Sequence, residues 1–344
     1  MRLAAVLSLV PLALHAQDST RQSPPRRPGH WHIGLTYHDY GITIGNATRT
    51  NGLRINFQDQ GLDRVNGVNV TVWKPGEPVT GTVNGLAIGV AGPGLDYLNG
   101  VGLGIAGVVT ERRARWLTIG GLGVVSNDRL EGLAVGGLGA VANGDAHGFL
   151  IGGLGAVANR DVKGVAIGGL GAVANGDLSG IALSGLGAVA NGSLKGIAIG
   201  GLATVTNRDF AGIGVGGLAI VANGDGAGIM TGGLATVVNG RFNGIAAGGL
   251  AVVADGGFRG MALAGYQVYA PSLHGYAIAP YVKTRELRGV SIGAYNRVLG
   301  PQVGLTIGVY NSARVLKGVQ LGVINRAQNN RGIFKVLPLL NAHL

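Results

Sequence analysis

The sequence predicts an all-β protein built as a repetitive array of about 16-residue units, and three observations carry that prediction. The first is a fixed period. A Gly-Leu pair begins at Gly121, Gly137, Gly153, Gly169, Gly185, Gly201, Gly217, Gly233 and Gly249, always sixteen residues apart. Asn keeps step at Asn127, Asn143, Asn159, Asn175, Asn191, Asn207, Asn223 and Asn239, with Asp255 in the ninth place. Self-similarity at a fixed interval is the mark of stacked repeats. The second is alternation within a unit. Gly164-Val-Ala-Ile-Gly168 alternates branched and small residues as a strand does, and Asn-Gly, Gly-Asp or Asn-Arg-Asp then supplies turn chemistry. The third is composition. Glycine supplies 67 of 344 residues and charged residues only 12%, yet 47% are hydrophobic, so the chain is no disordered low-complexity segment. Glycine at this density also argues against helix, where each costs roughly 1 kcal/mol.

The elements follow in order. Residues 1–16 have the pattern of an export signal: Arg2, an apolar run from Leu3 to Leu14, and Leu14-His15-Ala16 as a cleavage site. Residues 17–30 form a polar, Pro-rich leader, and 31–83 an N-terminal β region or cap. The array occupies 84–265, opening with the looser units Asn84-Gly-Leu-Ala-Ile-Gly89 and Asn99-Gly-Val-Gly-Leu-Gly104. Residues 266–344 carry degenerate repeats of 14–15 residues and a C-terminal cap. There is no Cys, which removes disulfides as a source of stability and leaves no cysteine for a lipid anchor.

Two architectures use many short β-units. In the unit around Gly196 the large side chains are Leu194, Ile197, Ile199, Leu202 and Val205, and they do not keep one parity. A chain turning corners at Gly200-Gly201 and near Asn207 sends all five inward. That favours a β-solenoid with Leu, Val and Ile columns as its core and the Asn column as an amide ladder. The alternative is a closed antiparallel outer-membrane-type β-barrel. Ile197, Ile199, Gly201, Ala203 and Val205 do share a parity, and Phe334, Val336, Leu340 and Leu344 alternate at the C-terminus. Against the barrel, residues 117–264 contain no Trp or Tyr for aromatic girdles.

Chemistry was sought in the same residues. Gly169-Leu-Gly-Ala-Val-Ala174 fits a dinucleotide-phosphate pattern, but the string recurs from Gly137, Gly153 and Gly185, each time followed by Asn and a turn. No cofactor or nucleotide is expected. Asp145, Asp161, Asp177, Asp209 and Asp225 form a column that suggests calcium between coils. Ser193 interrupts it, nearby cations offset its charge, and solvated turn residues are the preferred reading. His30, His32 and His38, beside Asp39, are read as exposed residues rather than a metal site, while His147, His274 and His343 stand far apart. No catalytic, cofactor-binding or metal residue is assigned. The net charge of +11 suits anionic lipid or acidic polysaccharide, and the export signal argues against nucleic acid. The clusters Arg26-Arg27 and Glu111–Arg115 are read as solvated. Tyr266, Tyr269, Tyr276, Tyr281, Tyr295 and Tyr310 gather after the perfect repeats, as larger core residues near a cap or as a binding band.

The units Gly289-Val-Ser-Ile-Gly-Ala-Tyr-Asn296, Gly304-Leu-Thr-Ile-Gly-Val-Tyr-Asn311 and Gly318-Val-Gln-Leu-Gly-Val-Ile-Asn325, with the closing Leu337-Pro-Leu-Leu-Asn-Ala-His-Leu344, resemble bacterial surface-repeat proteins of the GLQIGLIN type. The resemblance covers most of residues 84–344. It implies a cell-envelope protein without an established activity. The Ala-Ile-Gly units are similar, more weakly, to the short coils of trimeric autotransporter adhesin heads. The expectation is therefore a non-enzymatic exported protein of the cell envelope, outer membrane or cell surface, with a structural or adhesion role. Its partners would be other copies of itself, the outer membrane or a surface polymer. The alternative is an outer-membrane barrel acting as a pore or transport component.

Overall fold

A computed structural model describes residues 31–38 and 40–343. The export signal and the leader, and with them His30 and Arg26-Arg27, lie outside the described residues, as does Asp39. The chain winds as a β-solenoid of about 16 turns, with 73% of residues in strands. Each array coil has a long strand, such as Leu178–Ser184, and a short one, such as Gly187–Ala190. Long strands pair with long and short with short, in parallel, sixteen residues apart: Gly148, Gly164, Gly180 and Gly196 fall in one column, and Val157, Val173 and Val189 in another. Parallel pairing of equivalent residues rules out the barrel, in which each strand reverses on its neighbour. The coils lie about 4.8 Å apart, giving a rod roughly 75 Å long.

The stack extends beyond the regular repeats. Arg49–Asn56, Arg64–Thr71 and Thr82–Gly89 pair in parallel, so the N-terminal β region is itself made of coils. Two reversals stand at the ends. His32–Tyr37 pairs antiparallel with Tyr40–Gly45, and Val336–His343 pairs antiparallel with the last coil of Tyr295–Ala327.

The expected core is corrected. Leu194 is buried, but Ile199 and Leu202 are exposed, and Ile197 and Val205 face outward half-buried. The interior belongs to the other parity: Ala166, Ala172 and Ala174, with Val162 as the one larger residue of that coil. The reason is thickness. At the Gly168-Gly169 corner the chain folds back so closely that a Cβ on Gly168 would sit 1.8 Å from the carbonyl oxygen of Gly171. Two sheets this close leave most inward positions near the corner to methyl groups, and larger residues gather in the Val162 column as Leu178, Leu194, Phe210 and Phe242. Some are accommodated by exchange. Phe210 and Ile220 fill the space that Gly214 leaves, where a Cβ would fall 2.2 Å from Ile220 Cδ1. In the next coil Gly226 makes room for Met230 and for Phe242 of the coil after it. Volume is conserved, and that is what packed interiors tolerate. The column through Gly164 is fixed by backbone: φ is +129° and a Cβ would meet the Gly148 oxygen at 2.1 Å.

The Asn ladder forms as expected. From Asn143 to Asn239 each side-chain amide donates to the Asn of the coil before it, at 2.8–3.0 Å. Asn127 ends the row by donating to the Glu111 carboxylate at 2.7 Å. A second ladder runs through Asn51, Asn66, Asn84 and Asn99. The late units depart from expectation. Asn296 pairs with Val282, an inward position, so Asn296, Asn311 and Asn325 form a buried ladder instead of continuing the exposed one. Their corners are shorter than Gly168-Gly169, and the Asn amides take up the carbonyls left inside, those of Gly293, Ile307 and Leu321 among them. The N-terminal coils also have a polar interior. Arg54 donates to Asp59, Asn69 and the Ala47 carbonyl, all of them buried. Burial pulls the Arg54 guanidinium below its ordinary pKa, and the Asp59 charge and hydrogen bond oppose that pull.

Candidate functional site

The outward positions divide each coil into two halves. Between residues 111 and 265 there are ten basic and nine acidic side chains. By strand register, all of them stand in the columns of Asn175, Gly176, Asp177 or Lys163, along one edge. The other half carries no charge and is apolar but for Ser184 and Thr231: the columns of Val165 and Ile167, the Gly168-Gly169 corner, Leu170, Gly171 and Val173. The nine Leu from Leu122 to Leu250 make an exposed ridge along the corner, each 46–57% accessible. Apolar surface of this extent marks an interaction site on a folded protein. The N–H groups of the ridge leucines are bonded to the coil before. Leu170 N donates to Leu154 O at 2.7 Å, Gly171 N to the same oxygen at 3.1 Å, and Leu186 N to Leu170 O at 2.9 Å.

Aromatic residues border this half. Phe57 and Trp73 stack at the N-terminal end of the corner, with centroids 6.4 Å apart, and Tyr266 continues the Leu ridge at the other end. Trp116 takes a place in the glycine column between Gly100 and Gly132, with φ at +86°, and is 70% exposed. A bulky residue at positive φ is strained, and such strain collects at functional positions. It sits where the polar column of Arg115 meets the apolar column of Leu117.

The six tyrosines are not the larger core residues that one of the two expectations made them; none is buried. Tyr281, Tyr295 and Tyr310 stack as a ladder with centroids 5.5 and 4.7 Å apart. Two residues further along the same face come Lys283, Arg297 and Ser312, with Arg326 in the same column of the following coil, and four along come Arg285 and Arg314. Residues 266–344 hold nine Lys and Arg against Glu286 alone, net +8 of the chain's +11. Glu286 is engaged by Arg288 at 2.6 Å. Counting charge by region would have found this end, but the column needs the register.

The other sequence candidates fall elsewhere. The Asp column is explained by hydrogen bonding to the backbone. Oδ1 of Asp161 accepts the N–H of Asp177 at 2.8 Å, Asp177 that of Ser193 at 2.7 Å, and Asp209 that of Asp225 at 2.8 Å. Each carboxylate thereby caps the next coil's turn, and Arg160 lies 2.6 Å from Asp128 and 3.6 Å from Asp145. Among the described residues no group of three His, Asp or Glu is placed to hold a metal ion. His38 packs edge-on against Tyr37. Gly169 to Ala174 forms a corner and a short strand, with none of the helix that a phosphate loop requires. In the Glu111–Arg115 cluster, Arg115 bonds Glu131 at 2.9 Å. Burial would raise the Glu131 carboxyl, but the Arg115 hydrogen bond and the charges of Arg115, Arg113 and Arg129 hold it below its ordinary pKa.

No protein-family model matches the chain, and neither curated proteins nor solved structures yield a match.

Proposed function

We propose that this is a non-enzymatic, exported protein of the cell envelope, in which the solenoid serves as a structural element that lays one long surface against another. The observation that carries this reading is the division of the coil: all charge of the central array along one edge, and an uncharged, largely apolar half opposite. An enzyme needs a few polar groups converging in a concave site. Here the outward side chains repeat at every coil, which suits an extended contact surface. The signal pattern of residues 1–16 and the likeness of the late units to GLQIGLIN-type surface repeats support the envelope setting. The pore reading is dropped with the barrel on which it depended.

Fractionation of cells expressing the full chain tests the proposal. The processed chain, shortened at Ala16, is expected with the envelope or the cell surface. Recovery of the protein in the cytoplasm with residues 1–16 intact overturns it.

A further inference from the structure

We propose that the Leu ridge, together with the tyrosine and cation columns of the C-terminal coils, seats this protein edge-on upon an anionic lipid bilayer. This deepens the envelope reading by naming the partner. Three separate features point to lipid.

The first is the order of side chains across the face of the C-terminal coils. Next to the apolar corner stand Tyr281, Tyr295, Tyr310 and Ile324, then Lys283, Arg297, Ser312 and Arg326. Apolar, then aromatic, then cationic is the order in which a bilayer changes from acyl chain to interface to phosphate. The cations are available for such a contact: Arg297 and Arg326 are exposed, and Lys283 lies over the Tyr269 ring at 5.6 Å.

The second is the backbone of the ridge. Entry into a low-dielectric layer is costly for unpaired N–H and C=O groups. At the Leu corner the N–H groups are already bonded to the preceding coil, at 2.7 Å for each of Leu138, Leu154 and Leu170. The ridge leucines can therefore enter the acyl boundary by about 5–10 Å, as interfacial amphipathic elements do, with their own N–H groups already satisfied.

The third is the placing of aromatic side chains around the ridge. Phe57 and Trp73 lie at one end and Tyr266 at the other, and Trp116 accepts a strained φ to stand at the polar–apolar boundary. Trp and Tyr are enriched at that level of a membrane.

A second copy of the chain fits less well. The C-terminal net charge of +8 would need an acidic region, and residues 31–110 offer only four basic against five acidic side chains. A soluble polyanion would answer the cations but leave the Leu ridge in water.

The test is flotation of the purified chain with vesicles of phosphatidylcholine alone and of phosphatidylcholine with about one-third phosphatidylglycerol. The chain should float with the anionic vesicles, less so as salt is added. Lys283→Glu, Arg297→Glu and Arg326→Glu together should weaken that binding by about 100-fold. These are surface changes that leave the coil intact. Leu170→Ser, Leu186→Ser and Leu202→Ser together should weaken it by about tenfold, with an unchanged circular dichroism spectrum. The proposal is overturned by a chain that ignores both vesicles. Binding of heparin without vesicle binding overturns it in favour of a polymer. Concentration-dependent dimers that the Leu changes abolish, again without vesicle binding, overturn it in favour of a second copy. Flotation is measured outside the cell, so an envelope location with no flotation sinks only this inference. Flotation of a chain that resides in the cytoplasm sinks only the envelope reading.

Discussion

Between Leu130 and Ala262 the interior is apolar except for Thr204, Thr206 and Thr236, whereas at both ends of the rod it is polar. Arg54, Asp59 and Asn69 fill the N-terminal coils, and Asn296, Asn311, Asn325, Gln302 and Gln320 the C-terminal ones. The difference shows what each part has to specify. Gly137-Leu-Gly-Ala-Val-Ala-Asn143 and Gly153-Leu-Gly-Ala-Val-Ala-Asn159 are identical. A slip of sixteen residues between such coils would therefore exchange one set of short-strand contacts for the same set. An apolar interior of methyl groups cannot oppose that slip. A buried polar network can, because each donor has one partner and a displaced donor is left unpaired. On this view the ends pin the register and the middle supplies the length.

The largest expected effect comes from breaking the N-terminal network. Asp59→Ala leaves Arg54 buried without its counter-charge and should cost about 3–5 kcal/mol. Amide exchange should show residues 49–71 losing protection while the central coils keep theirs; equal loss along the whole rod would refute separate roles. Next comes Asn311→Leu. It strands Asn296, Asn325 and the Leu321 carbonyl, all of them partners of the Asn311 side chain, and should cost about 3 kcal/mol, read by urea unfolding of the C-terminal coils. Asn175→Ala sharpens the contrast, since it removes an equivalent rung from the exposed ladder, where water takes up the freed groups. About 0.5–1 kcal/mol is expected, and a cost as large as that of Asn311→Leu would erase the distinction between the ladders.

The smallest effect concerns acid. The folded-state pKa of Glu131 lies below its ordinary value, so its stabilising contribution is complete above the ordinary carboxylate pKa and is lost as pH falls through the depressed one. Glu131→Gln should therefore lower the thermal midpoint slightly at neutral pH and not in acid. A difference that persists at low pH would mean that packing, not charge, is what the carboxylate contributes.

Much of the fold was legible. The sixteen-residue period gave the coil, and stacking predicted the ladder from Asn127 to Asn239. What misled was parity. In Ala166-Ile167 and Ala172-Val173 both faces of the strand are apolar, so alternation cannot say which turns inward. The usual preference for large residues inside is reversed here by the thinness of the coil, a tertiary fact. The late Asn residues misled for a related reason. Asn296 follows Gly-Ala-Tyr much as Asn175 follows Ala-Val-Ala, but a shorter corner moves it from an exposed column to a buried one. The interaction surface was half visible: the tyrosine cluster stood out, while Trp116 and the Lys283–Arg297–Arg326 column acquire meaning only through register.

The two antiparallel strands at the ends have a consequence for growth. A purely parallel stack offers at each end an open strand edge, a template on which further parallel coils can form. His32–Tyr37 and Val336–His343 run antiparallel to the strands they cover, so neither end continues the parallel winding. Each end is thus a stop, and the distance between the stops is the number of units times the coil spacing. The gene for such a protein works as a ruler: deleting one sixteen-residue unit shortens the rod by about 4.8 Å and leaves every remaining coil, and both stops, as they were.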